Sequence, residues 1–208
     1  MSGYLELTDR VFAVLRDSER VFVLETEVGE WLNEAQLDVV ARTGILKKTD
    51  TGTTTSLGTV ALPTDFIRET AFSVATTTAN VNESPELTND EIFLSWKNAA
   101  ATPSNTLARI FNENIETYPA VVSKAYSLEY IRKPLALVVG TDVPEIPEEL
   151  HIRLVNYARA QAKWKEGEQG EGDRYWALYM EGMPTAPTAQ YRTRPGPFSF
   201  IPESSYWE

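Results

Sequence analysis

Val28-Gly29-Glu30-Trp31-Leu32-Asn33-Glu34-Ala35-Gln36-Leu37-Asp38-Val39-Val40-Ala41-Arg42-Thr43-Gly44-Ile45-Leu46-Lys47-Lys48-Thr49 is the stretch in which the chain changes texture. Its first part is helical. Val28, Leu32, Ala35 and Val39 recur at one-turn spacing and place one apolar stripe on a helix, with Trp31 beside it. Arg42 suits the negative end of the helix dipole, and Gly44 is a natural C-terminal stop. From Ile45 the periodicity of a helix is gone. Thr, Ser, Asn and Gly dominate, with short β-prone runs between them.

Upstream, Leu5 to Gly44 reads as two helices. Thr8 is the expected cap of the first, with Val11, Phe12, Val14 and Leu15 on its apolar face, and Thr26 caps the second after a joint over Arg20–Leu24. Downstream, the expected strands are Ile45–Thr49, Thr53–Ala61, Ile67–Thr76, Ile92–Lys97, Thr106–Phe111, Thr117–Ala120 and Lys124–Arg132. Turn chemistry separates them at Asp50-Thr51-Gly52, Asn82-Glu83-Ser84-Pro85, Asn89-Asp90 and Thr102-Pro103-Ser104-Asn105. Helix returns after Pro144. Pro147, Glu148 and Glu149 fit a first turn, and Leu150, Leu154, Val155, Ala158 and Ala162 form a stripe whose alanines imply close approach to another helix. The glycines of Glu168-Gln169-Gly170-Glu171-Gly172 break it, Asp173 caps a last helix carrying Tyr175 to Met180, and Pro184 ends that helix. The predicted class is α+β. The N-terminal helices (residues 1–44) and C-terminal helices (144–183) form one bundle, an antiparallel β domain (45–143) is inserted at one end, and an extended arm (184–208) follows.

That arm decides the functional expectation. Pro184, Pro187, Pro195, Pro197 and Pro202 exclude a continuous helix or a central strand. Tyr191, Phe198, Phe200, Ile201, Tyr206 and Trp207 are more apolar surface than an ordinary polar tail carries. Arg192 and Arg194 are the only charged residues between Glu181 and Glu203. Rings that fill pockets and guanidinium groups that meet carboxylates make these eight side chains the candidate partner-binding set, on a neighbouring subunit or a second protein. The competing reading is a flap on the chain's own body, or a frayed end. Ordering costs about 1–2 kcal/mol per residue, against about 1.5–3 kcal/mol for each buried apolar side chain. The arm is therefore expected to order only on assembly.

Composition narrows the rest. A net charge of −11 argues against sequence-reading nucleic-acid binding and suits a channel wall that does not stick to DNA. There is no cysteine and a single histidine, His151, so thiolate and multi-histidine metal sites are excluded. A Ser-His-Asp triad has no Gly-x-Ser-x-Gly elbow to serve it. His151 is expected as an exposed or interface helix residue. The acidic groups Asp142, Glu145, Glu148, Glu149 and Glu166, Glu168, Glu171, Asp173 lack cation-loop spacing and are expected to be solvated. Gly167 to Gly172 lacks the Lys-Ser/Thr of a phosphate loop. Trp31, Trp164 and Trp176 are expected to pack between helices, and Trp96 to lie in a strand. No catalytic residue, cofactor or metal is expected, no apolar run is long enough for a membrane span, and no secretory signal is visible.

Three stretches resemble the head-to-tail adaptor (connector) proteins of tailed bacteriophages: Trp31 to Gly44; the Val60-Ala61-Leu62-Pro63-Thr64-Asp65-Phe66-Ile67-Arg68 corner; and Tyr130-Ile131-Arg132-Lys133-Pro134 followed by Pro144-Glu145-Ile146-Pro147-Glu148-Glu149-Leu150-His151. The resemblance implies a virion structural protein, made in the host cytoplasm, that forms a homo-oligomeric ring, usually a dodecamer, at the head–tail junction. Its implied partners are the portal protein and tail or nozzle proteins, with fibres in some cases. DNA passes through the ring without specific binding. The alternative reading is a carbohydrate- or receptor-binding β module of a phage fibre or baseplate.

Overall fold

The computed structural model describes residues 3–15, 22–75, 82–99 and 102–183. The described residues form an α+β structure. Its elements in chain order are α1 (Tyr4–Phe12), α2 (Glu25–Thr43), β1 (Lys47–Thr53), β2 (Thr59–Ala61), β3 (Phe66–Ala75), β4 (Asn82–Glu83), β5 (Glu86–Leu87), α3 (Asp90–Asn98), β6 (Leu107–Phe111), β7 (Asn114–Tyr118), β8 (Ala125–Arg132), α4 (His151–Lys165) and α5 (Gln169–Met180). A 3-10 turn, Glu148–Leu150, leads into α4. No helix among the described residues is long and apolar enough to cross a membrane.

The stripe of α2 does what its spacing dictates. Val28, Leu32, Ala35, Val39 and Val40 are buried with Leu7 and Val11 of α1, Leu154, Val155, Ala158 and Ala162 of α4, and Tyr179 of α5. The alanines of α4 admit its neighbours closely, and truncating a leucine such as Leu32 to alanine costs about 2–5 kcal/mol. Gly44 ends α2 with φ +66, the left-handed conformation that glycine adopts without strain. A Cβ there would also lie 2.9 Å from Ile131 Cδ1.

The β segment folds into two four-stranded sheets. One has the order β1-β8-β3-β4 and is antiparallel throughout. The other has the order β2-β7-β6-β5, with β5 parallel to β6. Val60, Phe72, Val74, Ala108, Ile115, Leu128 and Tyr130 come from both sheets and share a second core. Neighbouring residues of β8 serve the two cores: Ile131 joins the helices and Tyr130 the sheets. Alternation along one strand thus fastens the helical and β parts together.

Several local expectations are corrected. Ile92–Lys97 is not a strand but the body of α3, and Trp96 lies on that helix. Asn89 Oδ1 accepts the Ile92 amide at 2.9 Å, and Asp90 and Glu91 occupy the first turn. The strand expected over Thr117–Ala120 is β7, Asn114–Tyr118. Thr8 lies inside α1, where its hydroxyl donates to the Tyr4 carbonyl at 2.9 Å, and Val14 and Leu15 fall beyond that helix. Thr26 is also helical. The Glu27 carboxylate, one turn into α2, accepts the Leu24 amide instead. Asp173 caps nothing: α5 begins at Gln169 and runs through Gly170 and Gly172. Gly172 is there because Trp164 lies against it. A Cβ there would collide with the Trp164 indole.

Candidate assembly surfaces

Residues 133–147 connect β8 to the 3-10 turn before α4. Side-chain hydrogen bonds from several elements hold this segment. Two polar side chains of α2 clamp the connection. Asn33 Nδ2 donates to the Leu137 carbonyl at 3.0 Å and Asn33 Oδ1 accepts the Leu137 amide at 2.7 Å. Gln36 Nε2 donates to the Leu135 carbonyl at 2.8 Å and Gln36 Oε1 accepts the Glu145 amide at 3.2 Å. Asp142 Oδ2 accepts the amides of Val138 and Val139, and its carbonyl accepts the Tyr4 amide at the start of α1. Those two amides hold the Asp142 carboxyl below the usual range.

Arg132 closes the loop on itself. Its Nη1 and Nη2 each lie 2.8 Å from a Glu145 carboxylate oxygen, and Glu145 Oε2 also accepts the Leu135 amide. The guanidinium outweighs burial and lowers the Glu145 pKa. At the loop's origin, the Leu-Pro-x-Asp-Phe corner contributes Asp65. Its Oδ1 accepts the Tyr130 hydroxyl at 2.8 Å, its Oδ2 the Lys48 ammonium at 3.0 Å, and its carbonyl the Lys133 amide. Burial alone would raise the Asp65 pKa, but these partners bring it below its ordinary value. Tyr130 is raised, chiefly by burial and then by Asp65. So fixed, the connection buries Leu137 and exposes Leu135, Val138, Val139 and Val143.

The acidic groups are therefore not simply solvated. Asp142 and Glu145 hold the connection. Of the second group, Glu166, Glu168 and Glu171 surround the Lys163 ammonium at 2.8, 3.0 and 3.3 Å. The Lys163 side chain is only 2% exposed. Burial opposes its charge, yet the carboxylates outweigh burial and raise its pKa. Asp173 accepts from Trp164 Nε1 at 3.0 Å. Trp164 and Trp176 lie 5.7 Å apart, and Trp31 and Trp176 pack on the helical core. His151 is buried rather than exposed. Its Nε2 lies 3.1 Å from the Ile146 carbonyl, and Nδ1 has no partner among the described residues.

In the second sheet, Arg109 lies between the rings of Phe93 and Phe111, at 4.7 and 4.5 Å from their centres. It pairs with Glu116 at 2.8 Å and Asp90 at 3.2 Å, which ties α3 to β6 and β7. Beside it, Leu57, Phe93, Lys97, Tyr118 and Ala120 line an open groove of about 380 Å³. In the first sheet, burial and Asp50 push the Tyr126 hydroxyl up to about 12.

The eight candidate partner-binding residues of the arm, Tyr191, Arg192, Arg194, Phe198, Phe200, Ile201, Tyr206 and Trp207, lie outside the described residues. The structure describes the foundation of the arm. Tyr179 is buried, its hydroxyl donates to Asp38, and Arg153 Nη1 donates to the Tyr179 carbonyl at 2.9 Å. Sequence reasoning missed Asn33, Gln36, Lys163 and Arg109. Gln36 carried a usable signal, since it falls within the buried stripe of α2 where an amide needs partners. Among the described residues no group of three or more His, Asp or Glu is placed to hold a metal ion.

The described residues thus form an α+β body with two hydrophobic cores and a hydrogen-bonded connection that exposes apolar side chains. The family model for SU10 adaptor protein matches residues 2–199, and the chain belongs to that family. This bears out the resemblance to bacteriophage adaptors, and membership implies a structural place in a phage virion. No curated protein matches the chain.

Proposed function

We propose that this chain is a ring-forming head-to-tail adaptor, seated between the portal and the tail, whose helices and β domain surround the DNA channel and whose arm latches the ring to the portal. It has no catalytic role. The observation that carries this reading is the reach of the family match. It extends to residue 199 and so includes Tyr191, Arg192, Arg194 and Phe198. Residues 184–199 of the arm fall within the match, and Phe200, Ile201, Tyr206 and Trp207 follow it. The net charge of −11 suits a channel that repels phosphate and lets DNA slide.

In this mechanism the helical core and the two sheets give each copy a fixed shape, so binding energy is not spent on ordering the body. The arm spans up to about 80 Å at about 3.1 Å per residue if extended, enough to cross a neighbouring copy and reach a second protein. The test is deletion of residues 184–208. The truncated chain is expected to melt like the parent, because its cores are intact, and to lose association with the portal in co-sedimentation. Undiminished portal association of the truncated chain would refute the latch.

A further inference from the structure

We propose that the strip from Lys47 and Lys133 across Leu135, Val138 and Val139 to Leu5 is the surface through which one copy of this chain meets the next. The proposal rests on the ring reading above and names its contact. Leu135, Val138, Val139 and Leu5 are 70%, 74%, 55% and 53% exposed. Together these side chains expose roughly 400 Å² of apolar surface on one short connection and the helix start beside it, the size at which the largest patch of a monomer is often functional. Slack does not explain this exposure. Gln36 donates to the Leu135 carbonyl, while Glu145, Asn33 and Asp142 accept the amides of Leu135, Leu137, Val138 and Val139, which fixes this backbone, and Leu137 is turned inward to 4% exposure. Leu5 joins the strip because α1 begins on this loop: the Tyr4 amide bonds Asp142, and Leu5 lies against Gly140.

Charge identifies the occupant. Copies carrying −11 each repel over most of their surfaces. Residues 134–141 carry no charge at all. The exposed Lys47 and Lys133 stand where the connection leaves β8, Lys47 opposite Ile131, and neither has a carboxylate partner among the described residues. An acidic surface, which this chain has in excess, complements that end, while the uncharged part makes dry apolar contact. A patch of roughly 400 Å² is about half of what one partner contributes to a standard interface. Single pairs of copies therefore associate weakly, and contact becomes stable when both flanks of a copy are engaged in a closed ring.

The chain contains no cysteine, so a single one can be placed at will. Val138→Cys, labelled with a photoactivated cross-linker and assembled on the portal, is expected to give dimers and a ladder of this chain. The yield should exceed that from Glu91→Cys on α3 by about tenfold. Rings seen by electron microscopy without that ladder overturn the proposal and leave the ring reading standing. So do cross-links from position 138 that reach only the portal, or only residues 184–208 of the same copy. Absence of rings overturns both. A second variant, Leu135→Asp with Val138→Asp, changes only exposed side chains. It is expected to melt like the parent and to form at least about tenfold fewer rings; rings at the parent yield contradict the proposal.

Discussion

Replacing Gln36 with methionine tests whether the α2 clamp sets the shape of the connection. Gln36 is 1% exposed, and methionine matches its length and nearly its volume, so little cavity is created. What is lost is specific: the bond to the Leu135 carbonyl at 2.8 Å and the bond from the Glu145 amide at 3.2 Å. Both backbone groups are part-buried, and each left without a partner costs about 1–2 kcal/mol. The total is about 2–4 kcal/mol. For a chain of this size, about 2–4 °C of Tm is lost per kcal/mol, so the midpoint should fall by roughly 5–15 °C. Urea unfolding gives the free energy, and hydrogen exchange locates it. The Glu145 amide should exchange faster, while the Leu137 amide, held by Asn33 at 2.7 Å, changes less. A variant within about 0.5 kcal/mol of the parent, with Glu145 protection unchanged, would show that Gln36 is a passive core residue.

Lys163→Met leaves Glu166, Glu168 and Glu171 without their shared cation; about 3 kcal/mol of stability should be lost, with faster amide exchange over residues 166–172, and an unchanged urea midpoint would contradict the charge cage. Arg109→Lys keeps the charge but loses the planar fork between Phe93 and Phe111; it should cost about 1–2 kcal/mol and loosen residues 90–98 in hydrogen exchange, whereas an equally protected α3 would argue against the sandwich. Asp65 and Glu145 have folded-state pKa values below their ordinary 3.8 and 4.5, so their stabilisation is complete above that range and is lost as pH falls through the lower folded values. Unfolding free energies of the parent should therefore drop on acidification below about pH 4.5, and Glu145→Gln should drop less steeply; identical slopes would remove Glu145 from the explanation.

The long periodic segments were legible. The stripes of α2 and α4 are buried as their spacing requires, and Gly44 stops α2. The strand expected over Lys124–Arg132 is β8, Ala125–Arg132. Short elements were less so. Ile92-Phe93-Leu94 is equally apolar as strand or helix, and only the preceding Asn89-Asp90-Glu91, a cap with acid in the first turn, distinguished them. The parallel pairing of β5 with β6 involves two residues per strand, too few for any pattern to encode. The acidic run at Glu166 looked solvated because its counter-charge, Lys163, belongs to the preceding helix and is turned inward. The clamp was hidden for a similar reason. Asn33 and Gln36 find their partners about a hundred residues away, and no local spacing reports such a contact. His151 was misplaced because a lone histidine in a first turn carries no sign of which face it occupies.

The most direct measurement is a cryo-electron microscopy reconstruction of the full chain bound to its portal. The account predicts a closed ring of copies around the DNA channel, with residues 184–208 of each copy traced onto the portal surface and the rings of Phe198, Phe200 and Trp207 in its pockets. A single copy or an open cluster, or an arm folded back on its own body with the portal untouched, would contradict it.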